Sequence, residues 1–259
     1  MSSDPNTDIY SKAKVVKYYS EYSTALQEPE KTIFELLKHQ LPDMRVLDIG
    51  VGGGRTTPAL APHAKEYIGI DFSPEMIQVC TEKYKSTYPV AKFEVCDVRN
   101  LTHFDTGYFD LILFSFNGLD NITADERELC LKEFRRICSV TGYLCFSSHN
   151  IQSLPNFFKV QFRLHPIKLI SSIIKRKKLI KENATQLIKM TTADYVIIYD
   201  DVYDFGLQTY YVRPSNQIRA LNSAGFKNVQ LFDLKRGKPL STSEEYTATT
   251  DSWIYYLSK

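Results

Sequence analysis

The chain has 259 residues, 43% of them hydrophobic and 24% charged, which is the composition of a globular protein with a buried core. Its formal net charge of +2 gives no strongly basic surface field, so we expect no nucleic-acid partner. No apolar run approaches the roughly 20 residues that span a bilayer, and the N-terminus lacks a signal-peptide core. The five cysteines show no metal-ligand spacing, which favours a reducing, cytoplasmic location and no metal site.

Helices and strands alternate along the first part of the sequence. Helices are predicted over residues 12–26 and 28–41, before the first strand. Continuous apolar runs then predict five strands, over residues 45–50, 67–72, 92–97, 109–116 and 142–150. The intervening helices are predicted from Arg55, from the N-cap residue Ser73, and over 123–138. This order predicts an α/β fold, in which a parallel sheet is buried between helices.

The alternation breaks after Asn150. Residues 151–213 contain a basic segment and two aromatic, strand-like runs, and the stretch is too long for a plain loop, so a structured insertion is predicted. A helix over 214–226 and strands over 227–233 and 252–258 are predicted to complete the fold. We expect one domain with a mostly parallel seven-stranded sheet whose last strand is antiparallel. Its four parts would be residues 1–40, 41–150, 151–213 and 214–259.

The segment "RVLDIGVGGGRTT", residues 45–57, joins a predicted strand to a helix through a glycine-rich turn. A phosphate-binding P-loop requires a lysine after the glycines, and none is present. The dinucleotide fingerprint G-x-G-x-x-G matches at Gly50 and Gly52, but its third glycine falls on Arg55. The pattern D-x-G-x-G-x-G is in phase throughout from Asp48, and this is the turn of S-adenosylmethionine binders. That ligand presents an amino acid, a ribose and an adenine, and it has no pyrophosphate.

Two further carboxylates follow the next predicted strands. Asp71 ends the second strand and Asp97 ends the third. Ligands of open α/β sheets bind at the carboxyl ends of the strands, so these acids are expected to meet the glycine turn there. A carboxylate at Asp71 would accept hydrogen bonds from ribose hydroxyls, and one at Asp97 from the adenine amino group. Ordinary helix capping explains each acid taken singly.

With these motifs the chain resembles the class I S-adenosylmethionine-dependent methyltransferases over residues 40–150. Four family motifs have counterparts here, which are "VLDIGVGGGR", "YIGIDFSPEMI", "CDVRNL" and "FDLILFSFNGLDNI". Thr141 stands where the family often has the first of two glycines. The resemblance implies a Rossmann-like methyltransferase sheet, S-adenosylmethionine as cofactor, S-adenosylhomocysteine as product, and no metal. It says little about the acceptor.

The resemblance also implies which residues hold each part of the cofactor. Arg55 would pair with the methionine carboxylate, although a solvated arginine in a first helical turn is the alternative. Phe72 and Met76 would flank the adenine, and the backbone N–H of Val98 would bind it. An N-terminal tyrosine helix would close over the site, unless its tyrosines form an amphipathic core stripe. The implied cofactor-binding residues are Tyr22, Asp48, Gly50, Gly52, Gly54, Arg55, Asp71, Phe72, Met76, Asp97, Val98 and Phe114.

Candidate catalytic residues follow the fourth and fifth predicted strands, toward which the methyl group would project. His149 is the candidate general base, because imidazole is suited to proton transfer near neutral pH; a structural histidine bonded to a loop carbonyl is the alternative. Asp120 would orient the acceptor or act as the base, unless it caps the following helix. Asn117, Asn150 and Tyr18 are the candidate acceptor-binding residues.

The insertion carries a basic run, "KLISSIIKRKKLIKEN", at residues 168–183. This run would attract a phosphorylated acceptor or an anionic membrane surface. A solvated helix face is the alternative interpretation.

The leading hypothesis is a methyltransferase that moves a methyl group to a hydroxyl or amine of a small molecule, for example a sugar or a nucleotide-linked sugar. The insertion would roof the acceptor site. RNA or protein methylation, and cofactor binding without catalysis, are the alternatives. The fourth strand lacks an "NPPY" or "DPPY" stretch, which argues against adenine-N6 or glutamine targets. The oligomeric state stays open, with a homodimer as one option.

Overall fold

The computed structural model describes residues 13–21, 25–159, 166–199 and 207–259. Numbered in chain order within these residues, the helices are α1 Ala13–Glu21, α2 Glu28–Leu37, α3 Thr57–Leu60, α4 Pro74–Tyr84, α5 Ala124–Ile137, α6 Leu154–Phe157, α7 Pro166–Glu182, α8 Ala184–Lys189, α9 Pro214–Ser223 and α10 Ser243–Ala248. The strands are β1 Arg45–Ile49, β2 Glu66–Asp71, β3 Ala91–Val95, β4 Phe109–Phe114, β5 Cys138–Asn150, β6 Tyr195–Tyr199, β7 Gln208–Val212, β8 Gln230–Phe232, β9 Pro239–Leu240 and β10 Trp253–Ser258. Short 3₁₀ turns cover Leu41–Asp43, Gly118–Asn121 and Ile151–Ser153.

The strands form one sheet in the order β3-β2-β1-β4-β5-β10-β8-β9. Strands β1 to β5 pair in parallel, whereas β10 runs antiparallel to both β5 and β8. The α/β class, the mostly parallel sheet and the antiparallel last strand are therefore confirmed. The expected number of seven strands is too low, because β6 and β7 join the sheet through β5 and β9 pairs with β8, which gives ten strands in the described residues.

Both faces of the sheet are buried, as its continuous apolar strands require. Successive residues of a strand point to opposite faces, so Leu47 packs in the cluster that contains α5 and α9. Its neighbour Val46 packs in the cluster that contains α2 and α3. The polar ends of the strands are thereby left at the two edges of this three-layer sandwich, where a ligand can reach them.

Local capping fixes two of the helices that flank the ligand edge. Ser73 caps α4 as predicted, its hydroxyl accepting from the backbone N–H of Met76 at 3.3 Å. Thr123 caps α5 and shares a capping box with Glu126. Asp120 therefore does not cap this helix. The helix expected from Arg55 begins only at Thr57, because the glycine turn extends beyond the arginine.

The insertion docks on the carboxyl end of β5. Its two predicted aromatic strands form the β6–β7 hairpin, and β7 pairs in parallel with the end of β5, placing Tyr211 opposite His149. Five buried residues give this region a small core of its own, namely Ile151, Leu154, Val196, Ile198 and Tyr211. Helix α7 carries the basic run. No helix in the described ranges is long and apolar enough to cross a membrane.

Candidate functional site

The glycine turn and Asp71 are joined by direct hydrogen bonds. Gly50 and Gly52 have φ of 62° and 53°, a left-handed conformation that glycine adopts without strain. The backbone N–H of Gly52 donates to Asp71 Oδ2 at 3.0 Å, and that of Ser73 donates to Oδ1 at 2.9 Å. Burial raises the pKa of Asp71, and these two N–H groups oppose the rise. The carboxylate is thus fixed in place with lone pairs left for a ligand.

A cleft opens at the carboxyl ends of β1, β2, β3 and β4, which is where ligands of open α/β sheets bind. Eight of the predicted cofactor residues line it, namely Gly50, Gly52, Asp71, Phe72, Met76, Asp97, Val98 and Phe114. Asp97 lies at its more open end and pairs with Arg99 at 2.6 Å. Although burial favours the neutral acid, the Arg99 hydrogen bonds and charge hold the pKa of Asp97 below its ordinary value.

The ring of Phe114 lies beside the cleft between two glycines. A Cβ atom at Gly50 would lie 2.9 Å from this ring, and one at Gly118 would lie 2.1 Å from it. Both distances are too short for a side chain. The glycines of the turn and of the "FNG" segment therefore admit the aromatic wall of the cleft.

A second, smaller cavity adjoins the first at the glycine turn. Asp48 and Arg55 line it, and Tyr19 and Phe116 line both cavities. Gly54 is not among the described lining residues of either. A Cβ atom at Gly54 would lie 2.3 Å from the Tyr84 ring, so this glycine is needed for the packing of α4 against the turn.

Asp48 supports the turn from below. It is buried, and its Oδ2 accepts hydrogen bonds from the hydroxyls of Tyr67, at 2.6 Å, and of Thr56. Burial raises the pKa of Asp48 to about 6, although both hydroxyls and the charge of Arg55 favour the carboxylate.

We expect Asp48→Asn to remove a pH dependence of stability. The pKa of Asp48 rises from 3.8 to about 6 on folding, so the folded state binds a proton more tightly, and the free energy of unfolding falls as the pH rises through this range. From about pH 5 to about pH 7 the wild type should lose ~1 kcal/mol that the asparagine variant keeps. Urea denaturation of both proteins at the two pH values measures this difference, and an identical pH dependence in both would contradict it.

Arg55 binds a carboxylate of the protein itself. Its Nη1 and Nη2 each lie 2.5 Å from an oxygen of Glu30, and Glu30 is completely buried. Burial favours neutral Glu30, but the hydrogen bonds and charge of Arg55, with the hydroxyl of Ser115, lower its pKa below the ordinary value. The guanidinium fork is therefore occupied, and the geometry does not favour the predicted pairing of Arg55 with a methionine carboxylate. The alternative of a solvated arginine is wrong as well.

Asp120 lies at the centre of a buried network after β4. Its Oδ2 accepts from the backbone N–H of His149 at 2.6 Å and from Nδ1 of the same residue at 2.8 Å. Its Oδ1 accepts from Arg127 at 2.6 Å and from the Ser148 hydroxyl at 2.7 Å. Asp120 is 0% exposed. Because its two oxygens already accept four hydrogen bonds from the protein, Asp120 can orient His149 but has no lone pair left for an acceptor. This corrects the expectation that it would orient the acceptor or act as the base.

Arg127 ties this network to the insertion. Its guanidinium donates to the side-chain oxygen of Gln217 on α9 at 2.7 Å and lies 4.6 Å from the ring centre of Tyr210 on β7. The side chain is 4% exposed. One buried cation therefore neutralises Asp120 and contacts the strand that lies against the end of β5.

His149 is held with one nitrogen toward Asp120 and the other toward Asn117. In the neutral imidazole whose Nδ1–H donates to Asp120, the lone pair lies on Nε2. Nε2 lies 3.4 Å from Nδ2 of Asn117, which is long for a hydrogen bond, so the lone pair is only weakly engaged. The ring lies against Tyr211 and Trp253, with centroids at 4.8 Å and 6.0 Å. The ring nitrogens of His149 thus face the side chains of Asp120 and Asn117, and the predicted alternative of a bond to a loop carbonyl is wrong.

Asn117 connects the histidine to the cofactor cleft. It and Phe116 have φ of 62° and 58°, a conformation that non-glycine residues rarely adopt and that concentrates at functional sites. The flanking residues Phe116 and Gly118 both line the cleft. The Oδ1 atom of Asn117 is buried and has no hydrogen-bond partner among the described residues. Such an acceptor is available to a ligand hydroxyl or amino group.

The remaining predicted acceptor residues fare differently. Asn150 is buried, and its side chain accepts from the Gln152 N–H and donates to the Thr249 carbonyl, both at 3.0 Å. These bonds give it a structural role, which corrects its assignment to the acceptor site. Tyr18 on α1 is half exposed, whereas its neighbour Tyr19 lines both cavities. Tyr22, which was predicted to bind the cofactor, lies outside the described residues.

Several residues of the site were not identified from the sequence, among them Glu30, Arg127 and Cys96. Glu30 and Arg127 gave no signal beyond their places in amphipathic helices. Cys96 lines the cleft, although the sequence placed it inside the predicted strand 92–97, like a core cysteine. Burial raises the pKa of its thiol to about 11, so it is not a nucleophile at neutral pH. No group of three or more His, Cys, Asp or Glu side chains that could hold a metal occurs in the described part of the chain.

Residues 46–142 match a family model described as a methyltransferase domain. The Bacillus subtilis protein YqeM is 30% identical over 124 residues, which are 47% of this chain and 49% of YqeM. The ubiquinone/menaquinone biosynthesis C-methyltransferase UbiE of Citrifermentans bemidjiense is 26% identical over 200 residues, 74% of each protein. The chain thus spans about half the length of the first relative and about three quarters of the second.

A solved structure shares the fold over nearly the whole chain. The S-adenosylmethionine-dependent methyltransferase of Clostridium acetobutylicum superposes with a TM-score of 0.60 at 16% identity. The superposition covers 98% of this chain and 96% of that protein. At 16% identity, this similarity shows a shared fold.

Proposed function

We propose that this chain is a class I S-adenosylmethionine-dependent methyltransferase that transfers a methyl group to a hydroxyl group of a small molecule. The methyltransferase domain model over residues 46–142, the UbiE relatives and the shared fold support this proposal. The observation that carries the proposal is the pairing of His149 with buried Asp120 at 2.8 Å. Asn117, which lies 3.4 Å from the histidine ring, stands between two residues that line the cofactor cleft. A histidine oriented by a carboxylate is a general base, and a hydroxyl acceptor benefits from one.

The residues of the cleft fit S-adenosylmethionine part by part. Asp71 offers fixed lone pairs to the two ribose hydroxyls, and Asp97 offers lone pairs to the adenine amino group. Phe72 and Met76 supply apolar contact for the adenine plane. The bare backbone at Gly50 admits the methionine portion. We assign these residues to cofactor binding, with Asp48 holding the turn beneath them.

S-adenosylmethionine would supply a methyl group on a sulfonium. The acceptor's lone pair would form a bond to the methyl carbon while the C–S bond breaks on the opposite side, and S-adenosylhomocysteine would leave. The protein has to align the nucleophile with that methyl group, an effect that reaches about 7–11 kcal/mol in favourable systems. Nε2 of His149 would take the hydroxyl proton while Asp120 stabilises the imidazolium formed. Oδ1 of Asn117 would accept a hydrogen bond from the acceptor and hold it in place. A neutral amine acceptor would need only the alignment.

The surroundings of His149 favour an acceptor with a flat, partly apolar face. Tyr211 and Trp253 form aromatic walls beside the imidazole, and Phe116 lies next to Trp253, with their ring centroids 6.2 Å apart. Aromatic walls stack on planar rings and also on the C–H faces of sugars. The sugar acceptor expected from the sequence therefore stays a proposal beside hydroxylated aromatic rings.

A second candidate reaction is methylation of a ring carbon. Several UbiE proteins are relatives of this chain, and their names describe a C-methyltransferase of ubiquinone and menaquinone biosynthesis. Removing a proton from a ring hydroxyl also makes the adjacent ring carbon a nucleophile, so the same base would serve. Transfer of a labelled methyl group to panels of hydroxylated aromatics, quinols, saccharides and amines tests both reactions. Mass analysis of the product distinguishes an ether from a carbon–carbon bond.

We expect Asp71→Ala to weaken cofactor binding. The variant loses a charged acceptor for two ribose hydroxyls and also releases the Gly52 N–H, a loss of about 1.5–3 kcal/mol or roughly 10- to 100-fold in Kd. Calorimetric titration with S-adenosylhomocysteine measures the change. Glu75→Ala, at an exposed position in the next helix, is the control and should bind like the wild type. Equal affinities of Asp71→Ala and wild type would remove the ribose assignment.

A further inference from the structure

Helix α7 has an exposed face that joins isoleucine and lysine side chains. The helix has six basic residues and a single acidic residue, Glu182, at its end. Ile170 and Ile174 are 57% and 63% exposed, and Lys177 and Lys181 are exposed as well. The spacing of four, three and four residues places all four side chains in one line along the helix.

The opposite face of α7 fastens the helix to the insertion. Leu179 is 1% exposed, and Arg176 lies 5.3 Å from the ring centre of Phe157 on α6. At the end of the helix, Asn183 donates to the carbonyls of Leu179 and Tyr199, at 2.9 and 3.0 Å. These contacts fix the orientation of α7, so the isoleucines and lysines of the other face point outward.

Exposed isoleucines in line with lysines are unfavourable in water alone. Large apolar side chains that are more than half exposed next to one another mark an interaction surface. A helix lies at a bilayer surface when apolar side chains enter the acyl boundary and lysines meet anionic headgroups, each lysine contributing about 1 kcal/mol. Ile188 on the following helix α8 is 81% exposed as well.

We propose that this face of α7, made of Ile170, Ile174, Lys177 and Lys181, docks the protein on an anionic phospholipid surface. The charge of the lysines is complementary to the headgroups, and the isoleucines supply the apolar anchor. A nucleic-acid phosphate backbone would use the lysines and leave the isoleucines exposed, so lipid is the better match. The proposal is independent of the acceptor of methyl transfer.

Co-sedimentation with vesicles tests the proposal on the full chain. Vesicles of phosphatidylcholine alone are compared with an equal mixture of phosphatidylcholine and phosphatidylglycerol. We expect binding to the mixed vesicles, weakened by salt because screening reduces the attraction. Two double variants, Ile170→Ser with Ile174→Ser and Lys177→Glu with Lys181→Glu, should each lower the partition coefficient at least about tenfold.

A control is available at the end of α2. Leu36 is 55% exposed and Lys38, just after the helix, is an exposed lysine, so Leu36→Ser with Lys38→Glu makes one change of each kind elsewhere and should bind vesicles like the wild type. Unchanged affinity for S-adenosylhomocysteine verifies that each variant is folded. Absence of binding to the mixed vesicles, equal binding by all variants, or binding to single-stranded RNA that only the lysine variant weakens would overturn the proposal.

Discussion

Replacing His149 by alanine is expected to lower the turnover of methyl transfer by about 10²–10⁴-fold, the usual contribution of a positioned general base. The affinity for S-adenosylhomocysteine should stay nearly unchanged, because His149 is not among the described residues that line the cofactor cleft. The physical reason is the lone pair on Nε2, which the bond from Nδ1–H to Asp120 orients. Initial rates with the acceptor found in the panel, together with calorimetry, measure both quantities.

The control for this change is His63→Ala, which removes an imidazole from an exposed position in the turn after α3 and should leave turnover unchanged. Arg127→Lys offers a second comparison, since lysine keeps a buried cation but cannot reproduce the several bonds of the guanidinium. It should lower kcat through a misplaced His149 and leave the cofactor affinity intact.

A loss of less than tenfold in His149→Ala would contradict the role of His149 as base and favour an amine acceptor.

The parts of the site that the sequence predicts are those encoded locally. The turn from Asp48 to Gly54 follows a strand that is buried on both faces, and its glycines adopt the left-handed conformation. Asp71 and Asp97 follow the ends of the next two strands, so the order of a parallel sheet brings them to one cleft. The turn and the two acids could be predicted from their spacing along the chain, because the carboxyl ends of parallel strands meet at one edge of the sheet.

The parts that the sequence does not predict depend on contacts between distant residues. Glu30 stands in the first turn of α2, where its carboxylate completes a capping box by accepting from the backbone N–H of Gln27 at 2.7 Å. Its burial goes with bonds from Arg55 and Tyr255, which are distant in the sequence. His149 and Asp120 were expected as alternative bases. The register of β5 beside the 3₁₀ turn makes them partners instead. Strand β9 has two residues, too few to give a periodic signal.

Removing the Glu30 carboxylate should be the most destabilising single change near the cofactor cleft. In Glu30→Leu the guanidinium of Arg55, whose side chain is only 9% exposed, loses both of its carboxylate bonds. A buried charge left without its partner costs about 3–5 kcal/mol of unfolding free energy. The hydroxyl of Tyr255 also loses its bond to Glu30 at 2.8 Å, although it keeps its contact with Ser115.

Urea denaturation of three proteins distinguishes this buried pair from an ordinary surface charge. Glu35→Leu changes an exposed glutamate of the same helix, which forms an i,i+3 ion pair with Lys38, and should cost less than about 1 kcal/mol. The double variant Glu30→Leu with Arg55→Leu should be more stable than Glu30→Leu alone, because the unpaired cation is gone. Because the pKa of Glu30 is lowered from 4.5, the pair stabilises the wild type above this pH and ceases to do so as acid protonates the folded state. A Glu30→Leu protein as stable as Glu35→Leu would show that Arg55 finds water or another acceptor, and would return it to consideration as a ligand of the cofactor.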